Sequence, residues 1–139
     1  MNASFRDNIC FGQNFDQKKY EDAVVSCRLV DDLETFTGGD LTEIGERGIN
    51  LSGGQKQRVS LARAVYSDAD IYLIDDALSA LDAEVGRQIF DGVLKRKFAA
   101  KTIIMVTHAH YILDQVDEVL VMRDGEIKAS GHFSGIKTH

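Results

Sequence analysis

Two short apolar runs, Ile71-Tyr72-Leu73-Ile74 and residues 102–107, lie on either side of a stretch with helical spacing, and this order most constrains the chain. Between them Asp82 opens a helix whose apolar residues Val85, Ile89 and Val93 fall at i, i+4 and i+8. Lys95-Arg96-Lys97 close it, where cations suit the helix dipole. Apolar strands joined through a helix predict a βαβ unit whose parallel sheet is buried on both faces. Further on, residues 109–116 read as a short helix. Residues 118–122 and 126–129 read as a hairpin turning at Asp124-Gly125, a preferred two-residue turn. Ahead of residue 68 the pattern is helical instead. Asp16 caps a helix over 17–28 with Tyr20, Val24 and Cys27 or Leu29 as its buried stripe. An acidic helical turn over 31–36 ends at Gly38-Gly39, and a longer helix over 52–66 carries Val59, Ala62 and Val65 inward. The fold class is therefore α/β, with a helical part over 1–67, an α/β part over 68–131 and a tail over 132–139.

At 139 residues the chain holds at most one domain, and 44% hydrophobic residues suffice for a modest core. Sixteen basic against twenty-two acidic side chains leave a net charge of -6, which argues against nucleic acid as a partner. The longest aliphatic run, Ile103-Ile104-Met105-Val106, is far short of the ~20 residues that span a bilayer. No secretory signal is expected at the start. Cys10 and Cys27 are too few for a disulfide framework and have no partners at metal-ligand spacing. Proline is absent altogether, against an average usage of ~5%.

Three features carry possible chemistry. In Leu51-Ser52-Gly53-Gly54-Gln55, Ser52 and Gln55 can satisfy each other's backbone donors as a capping box. The two glycines, each costing up to ~1 kcal/mol in a helix, remain unexplained by a cap. They suit a helix start that something approaches closely, above all a phosphate at the positive end of the dipole. Asp75-Asp76 ends the first strand, on the edge where open α/β sheets bind ligands. One such carboxylate can hold Mg²⁺ through water while its neighbour orients a nucleophile, or the pair is simply a polar turn. His108, directly after the second strand, is either solvated or part of that same edge.

In order, Leu51-Ser52-Gly53-Gly54-Gln55-Lys56-Gln57-Arg58, the aliphatic strand ending in Asp75-Asp76, Ser79-Ala80-Leu81-Asp82 and Val106-Thr107-His108 resemble the ATP-binding cassette (ABC) ATPases, a P-loop NTPase fold. The resemblance runs through Gly131. It implies that Ser52, Gly53, Gly54 and Gln55 are the signature motif, Asp75 the metal-site aspartate of Walker B, and Ser79 to Asp82 the D-loop. Asp76 stands at the catalytic-base position and His108 looks like the switch histidine. The implied cofactors are ATP and Mg²⁺. Thr42-Glu43-Ile44-Gly45-Glu46-Arg47-Gly48 resembles the exporter segment that touches the coupling helices of a transmembrane domain. Asn2-Ala3-Ser4-Phe5-Arg6-Asp7-Asn8-Ile9 resembles the exporter stretch immediately after the Q-loop. The stretch 71–90, with Asp76 in place of the usual Glu, is most similar to the first nucleotide-binding domain of multidrug-resistance-associated (C-subfamily) exporters.

Several family features do not occur in these residues. No Gly-x-x-x-x-Gly-Lys-[Ser/Thr] is present, so the Walker A loop that cradles phosphate is missing, as are the adenine-stacking aromatic and the Q-loop glutamine. The resemblance therefore implies the C-terminal part of a cassette: the helical subdomain plus later strands of the core sheet. Such a chain is expected to be an inefficient ATPase alone, with strand edges and apolar faces exposed. Proline would often stand near Thr37, Ala77 and Asp114. Within the family two cassettes pair head to tail, so a second nucleotide-binding domain is an expected partner, with membrane association on the cytoplasmic side of the intact transporter. Two other readings compete: a non-catalytic truncated product, and a soluble ABC ATPase of DNA repair or translation. The latter would be expected to bring coiled-coil arms or basic patches, and neither is visible.

Overall fold

A computed structural model describes residues 2–46 and 48–136, and the chain divides into two units, one up to Thr107 and one from His108 onward. In the first unit a two-residue strand β1 (Ala3–Ser4) leads into α1 (Phe5–Cys10), whose first turn is capped by the Ser4 hydroxyl accepting from the Asp7 N–H. Helix α2 (Gln17–Ser26) starts at Asp16, whose carboxylate accepts from the Lys19 N–H at 2.9 Å. Its predicted stripe is realised: Tyr20, Val24, Cys27 and Leu29 are all buried. The short α3 (Val30–Thr35) comes next, then β2 (Glu43–Ile44), which pairs antiparallel with β1 through Ala3–Ile44 and Ser4–Glu43.

Helix α4 (Gly53–Ser67) is the spine of this unit. Val59, Leu61, Ala62, Val65 and Tyr66 are buried along it, against Phe5 and Ile9 of α1 and Ala23 of α2 in the same core. Polar contacts fix the register. Arg63 Nε donates to the Asn8 carbonyl at 2.8 Å, and the Tyr66 hydroxyl accepts from the Asp16 N–H while donating to the Asn14 carbonyl. Strand β3 (Ile71–Asp75) runs parallel to β4 (Thr102–Val106), in register from Ile71–Thr102 to Asp75–Val106. Between them α5 (Ala83–Ile89), capped by Asp82, passes directly into a segment over Phe90–Lys97 whose bonding widens to i→i+5, as in Phe98 N–H to Val93 C=O. Evenly spaced apolar residues do not disclose that widening.

The sheet departs from expectation in one respect. Tyr72 and Ile74 face inward, Tyr72 stacking on Phe98 with ring centroids 3.9 Å apart. The alternate residues do not: Leu73 is 78% exposed, Ile71 62%, Val106 59% and Ile104 58%. A sheet expected to be buried on both faces is buried on one, because its second face needs a covering layer that these residues do not supply.

The second unit holds a 3₁₀ turn over His110–Gln115, the antiparallel pair β5 (Val119–Arg123) and β6 (Glu126–Gly131), and a short α6 (Phe133–Ile136). The hairpin turns at Asp124 and Gly125, both at positive φ (54° and 79°), as a two-residue turn of the primed type requires. No described helix is long and apolar enough to cross a membrane.

Candidate functional site

Ser52 and Gln55 close the start of α4 reciprocally. The Ser52 hydroxyl accepts from the Gln55 N–H at 3.2 Å, and the Gln55 side-chain oxygen accepts from the Ser52 N–H at 2.8 Å. The cap is thus real, and the glycines still need their own account. A Cβ on Gly54 would lie 3.1 Å from the Ala80 carbonyl oxygen, and one on Gly53 would lie 3.4 Å from the Ala80 Cβ. Part of what approaches the glycines is therefore the chain itself, at the turn after β3. Gly54 also borders a small hollow of about 210 Å³ with Arg58, Ala80 and Asp82 on its walls.

Two side chains of α4 hold this arrangement, and the local sequence pattern gives neither a role. Asp32 of α3 accepts from the free amide of Gln55 at 2.8 Å and pairs with the guanidinium of Arg58 at 2.5 Å. Gln57 reaches the other way. Its amide nitrogen donates to the Asp76 carbonyl and the Ser79 hydroxyl, and its oxygen accepts from the Ala80 N–H. Both Gln57 and Arg58 belong to the run 51–58, but their partners stand some twenty residues away in sequence, beyond any local signal.

Asp75 ends β3 and is exposed, paired in register with Val106. Asp76 continues the ladder by one bond, its N–H donating to the Val106 carbonyl at 2.8 Å, and then turns the chain at φ 46°. Its carbonyl also accepts from the Ser79 N–H and hydroxyl. Asp82 uses its carboxylate to accept from the N–H groups of Glu84 and Val85, which opens α5. The structure thus brings Gly53 and Gly54 beside Ala80, with Asp75 and Asp76 at the start of the same turn, while the Gln55 side chain points instead to Asp32. His108 begins the second unit and is exposed.

The segment that starts at Thr42 lies on a different side of α4. Ile44 is buried while Glu43 and Glu46 are exposed, and the Glu46 N–H donates to the Asn2 side chain at 3.0 Å. A cleft of about 790 Å³ separates this segment from α4, with Asn8, Lys56, Ser60 and Arg63 among its walls. Arg47, the segment's one cation, lies outside the described residues.

A family model described as ABC transporter matches residues 3–79, more than half of the chain. The chain belongs to the ABC transporter family. Among curated relatives, it is 54% identical over 135 residues to rat ATP-binding cassette sub-family C member 2, covering 96% of this chain and 9% of that protein. It is 51% identical over 141 residues to rat sub-family C member 3, covering 100% of this chain and 9% of the relative. An Arabidopsis thaliana protein named ABC transporter C family member 9 is 50% identical over 133 residues, again with 96% and 9% covered. The chain therefore spans about a tenth of the length of the relatives it matches. Its sequence is that of an ABC nucleotide-binding domain of the C-subfamily kind, and the mixed fold with a parallel strand pair fits part of a P-loop NTPase. ATP is the ligand this family implies.

Proposed function

We propose that these residues form the later part of the ATP-binding and ATP-hydrolysing domain of an ABC exporter, and that hydrolysis there drives transport across a membrane. The observation that supports it most is the packing of the glycine-bearing start of α4 against the turn Ser79-Ala80 that leaves the Asp75-Asp76 strand end. Residues 1–67 then act as the helical subdomain, 68–131 as later core and 132–139 as a tail.

In this reading Ser52 and Gln55 cap the start of a fifteen-residue helix, and Gly53 and Gly54 offer its first N–H groups to the phosphates of a nucleotide held by a second, head-to-tail domain. Ser79 and Asp82 line that same approach. Asp75, Asp76 and His108 serve a nucleotide whose phosphates are cradled by a Walker A loop that these 139 residues do not contain. No group of three or more His, Cys, Asp or Glu able to hold a metal is found among the described residues. The exposed Asp75 carboxylate at the end of β3 fits Mg²⁺ on a phosphate substrate, which takes one or two carboxylates and otherwise water and phosphate oxygens. Asp75 is the residue placed to hold it, and the ion would supply charge neutralisation at the transferred phosphoryl group. Asp76 would orient or deprotonate the attacking water. The exposed Glu43 and Glu46 meet coupling helices of a transmembrane domain, which puts the chain on the cytoplasmic side.

Turnover of MgATP provides the test. The 139 residues alone are expected to hydrolyse it at least about 10²-fold more slowly than the protein expressed from its own full reading frame, since positioning supplies much of the rate. In that protein Asp75→Asn and Asp76→Asn should each suppress turnover. Rates typical of an intact ATPase from the 139 residues alone, abolished by Asp76→Asn, would overturn the proposal, as would a full-frame protein that neither binds nor turns over MgATP.

A further inference from the structure

Gln57 sits one helical turn beyond Gly53 and Gly54 on the same face of α4, and all three meet the turn after β3. Its amide is matched at both ends. Nε2 donates to the Asp76 carbonyl at 3.1 Å and to the Ser79 hydroxyl at 2.9 Å, and Oε1 accepts from the Ala80 N–H at 2.9 Å. A carboxamide carries two N–H donors and a carbonyl acceptor on one flat group, which matches all three partners.

We propose that Gln57 is a positioning residue that locks the Ser79-Ala80-Leu81-Asp82 turn to the glycine-bearing start of α4, so that both approach a bound nucleotide as one rigid piece. What that piece acts on rests on the ATPase reading above; the lock itself does not. Ser79 and Ala80 are exposed and bury little apolar surface, so hydrophobic packing does not hold them in place. Without Gln57 the Ala80 N–H loses its bonded acceptor, and the Asp76 carbonyl keeps only the bonds from Ser79. The lock also reaches the Asp76 backbone, one residue past the metal-site aspartate, where chain direction is set by a left-handed φ of 46°. One side chain thus ties the signature segment to the strand end that carries the carboxylates. Loss of such a tether costs little core packing but lets the turn drift, and drift on the scale of ~1 Å is what catalysis tolerates least.

The test uses the protein expressed from its own full reading frame. In Gln57→Ala, amide hydrogen exchange of peptides spanning residues 77–82 should quicken about 10-fold, because local opening no longer breaks the bonds to Gln57. The melting temperature should move by less than about 4 °C. MgATP turnover should fall about 10- to 100-fold in kcat, with KM for ATP within about two-fold. Gln57→Glu keeps the acceptor for the Ala80 N–H and loses both donors, so its exchange should lie between the two; should Gln57→Ala fail to fold, Gln57→Glu carries the same comparison. Unchanged exchange over 77–82, exchange that quickens equally throughout the chain, or faster local exchange with unaltered kcat would each overturn the proposal. A wild-type protein without MgATP turnover would reject the ATPase reading instead, and the exchange measurement would still judge the lock.

Discussion

The carboxylate of Asp32 and the guanidinium of Arg58 form an ion pair with side chains only 13% and 17% exposed, joining α3 to the second turn of α4. Arg58 also donates to the Arg28 carbonyl, and Asp32 holds the free amide of Gln55. Removing the acid therefore strands a half-buried cation and loosens the capping glutamine together. Asp32→Ala should destabilise the chain by about 2–4 kcal/mol, since breaking such a pair costs more than its net worth. Asp32→Asn, which keeps an acceptor, should cost roughly half as much. Urea denaturation of the two variants at neutral pH measures both; equal midpoints with wild type would mean that the pair is dispensable.

The uncovered face of β3 and β4 predicts behaviour in solution. Leu73 and Ile104 are neighbours in register, 78% and 58% exposed, with Ile71 and Val106 beside them. Contiguous apolar surface of this kind drives association. The 139 residues by themselves should bind a hydrophobic dye and self-associate in sedimentation experiments. Leu73→Lys combined with Ile104→Lys should reduce both, while changing stability by no more than about 0.5 kcal/mol per substitution. Persistent association in the double variant would place the sticky surface elsewhere.

Stability should fall as the solution turns alkaline. Cys27 is wholly buried, and that burial pushes its thiol from 9.0 up to about 12. Burial raises the Cys10 thiol too. An unfolded chain releases the Cys27 proton near pH 9, whereas the folded one retains it until about pH 12. The unfolded state then binds fewer protons, so stability is intact below pH 9 and is lost as pH rises through that window, by up to about 1.4 kcal/mol per pH unit for one such group. Urea midpoints at about pH 8, 9 and 10 under reducing conditions test it, with Cys27→Ala expected to flatten the slope. A midpoint that holds steady across the upper half of that range would contradict the linkage.

How much the sequence discloses depends on contact range. The start of α4 is legible because Ser52 and Gln55 act within one turn, and the Asp16 and Asp82 caps are legible for the same reason. The alignment of β3 with β4 is legible because two apolar runs joined by a helix leave few alternatives. The roles of Asp32 and Gln57 are not, because their partners are set by tertiary packing rather than spacing. Burial of β3 is only half readable: uniform apolarity signals two covered faces, but which face is covered depends on what packs there. The glycine pair signals room for a close approach, and Ala80 occupies part of that room.

Asp76 offers a prediction that couples stability to rate. Its backbone is pinned by its N–H bond to Val106 and by three donors on its carbonyl, so it cannot advance to compensate for a short side chain. In the proposed role its carboxylate therefore stands one methylene further from the water than the Glu more usual in the family. Asp76→Glu should raise kcat for MgATP in the full-frame protein by up to ~10²-fold, the scale on which ~1 Å of misplacement acts. It should leave KM within about two-fold, since binding is untouched. The gain has a structural cost. Asp is among the residues that tolerate left-handed φ, and Asp76 holds 46°, where a longer, unbranched acid is less at ease. The melting temperature should therefore drop by about 2–5 °C, matching a loss near ~1 kcal/mol. Faster turnover with lower stability would identify Asp76 as a rate-limiting, backbone-constrained base. A variant that is slower, or no faster, would show that side-chain length at this position does not set the rate.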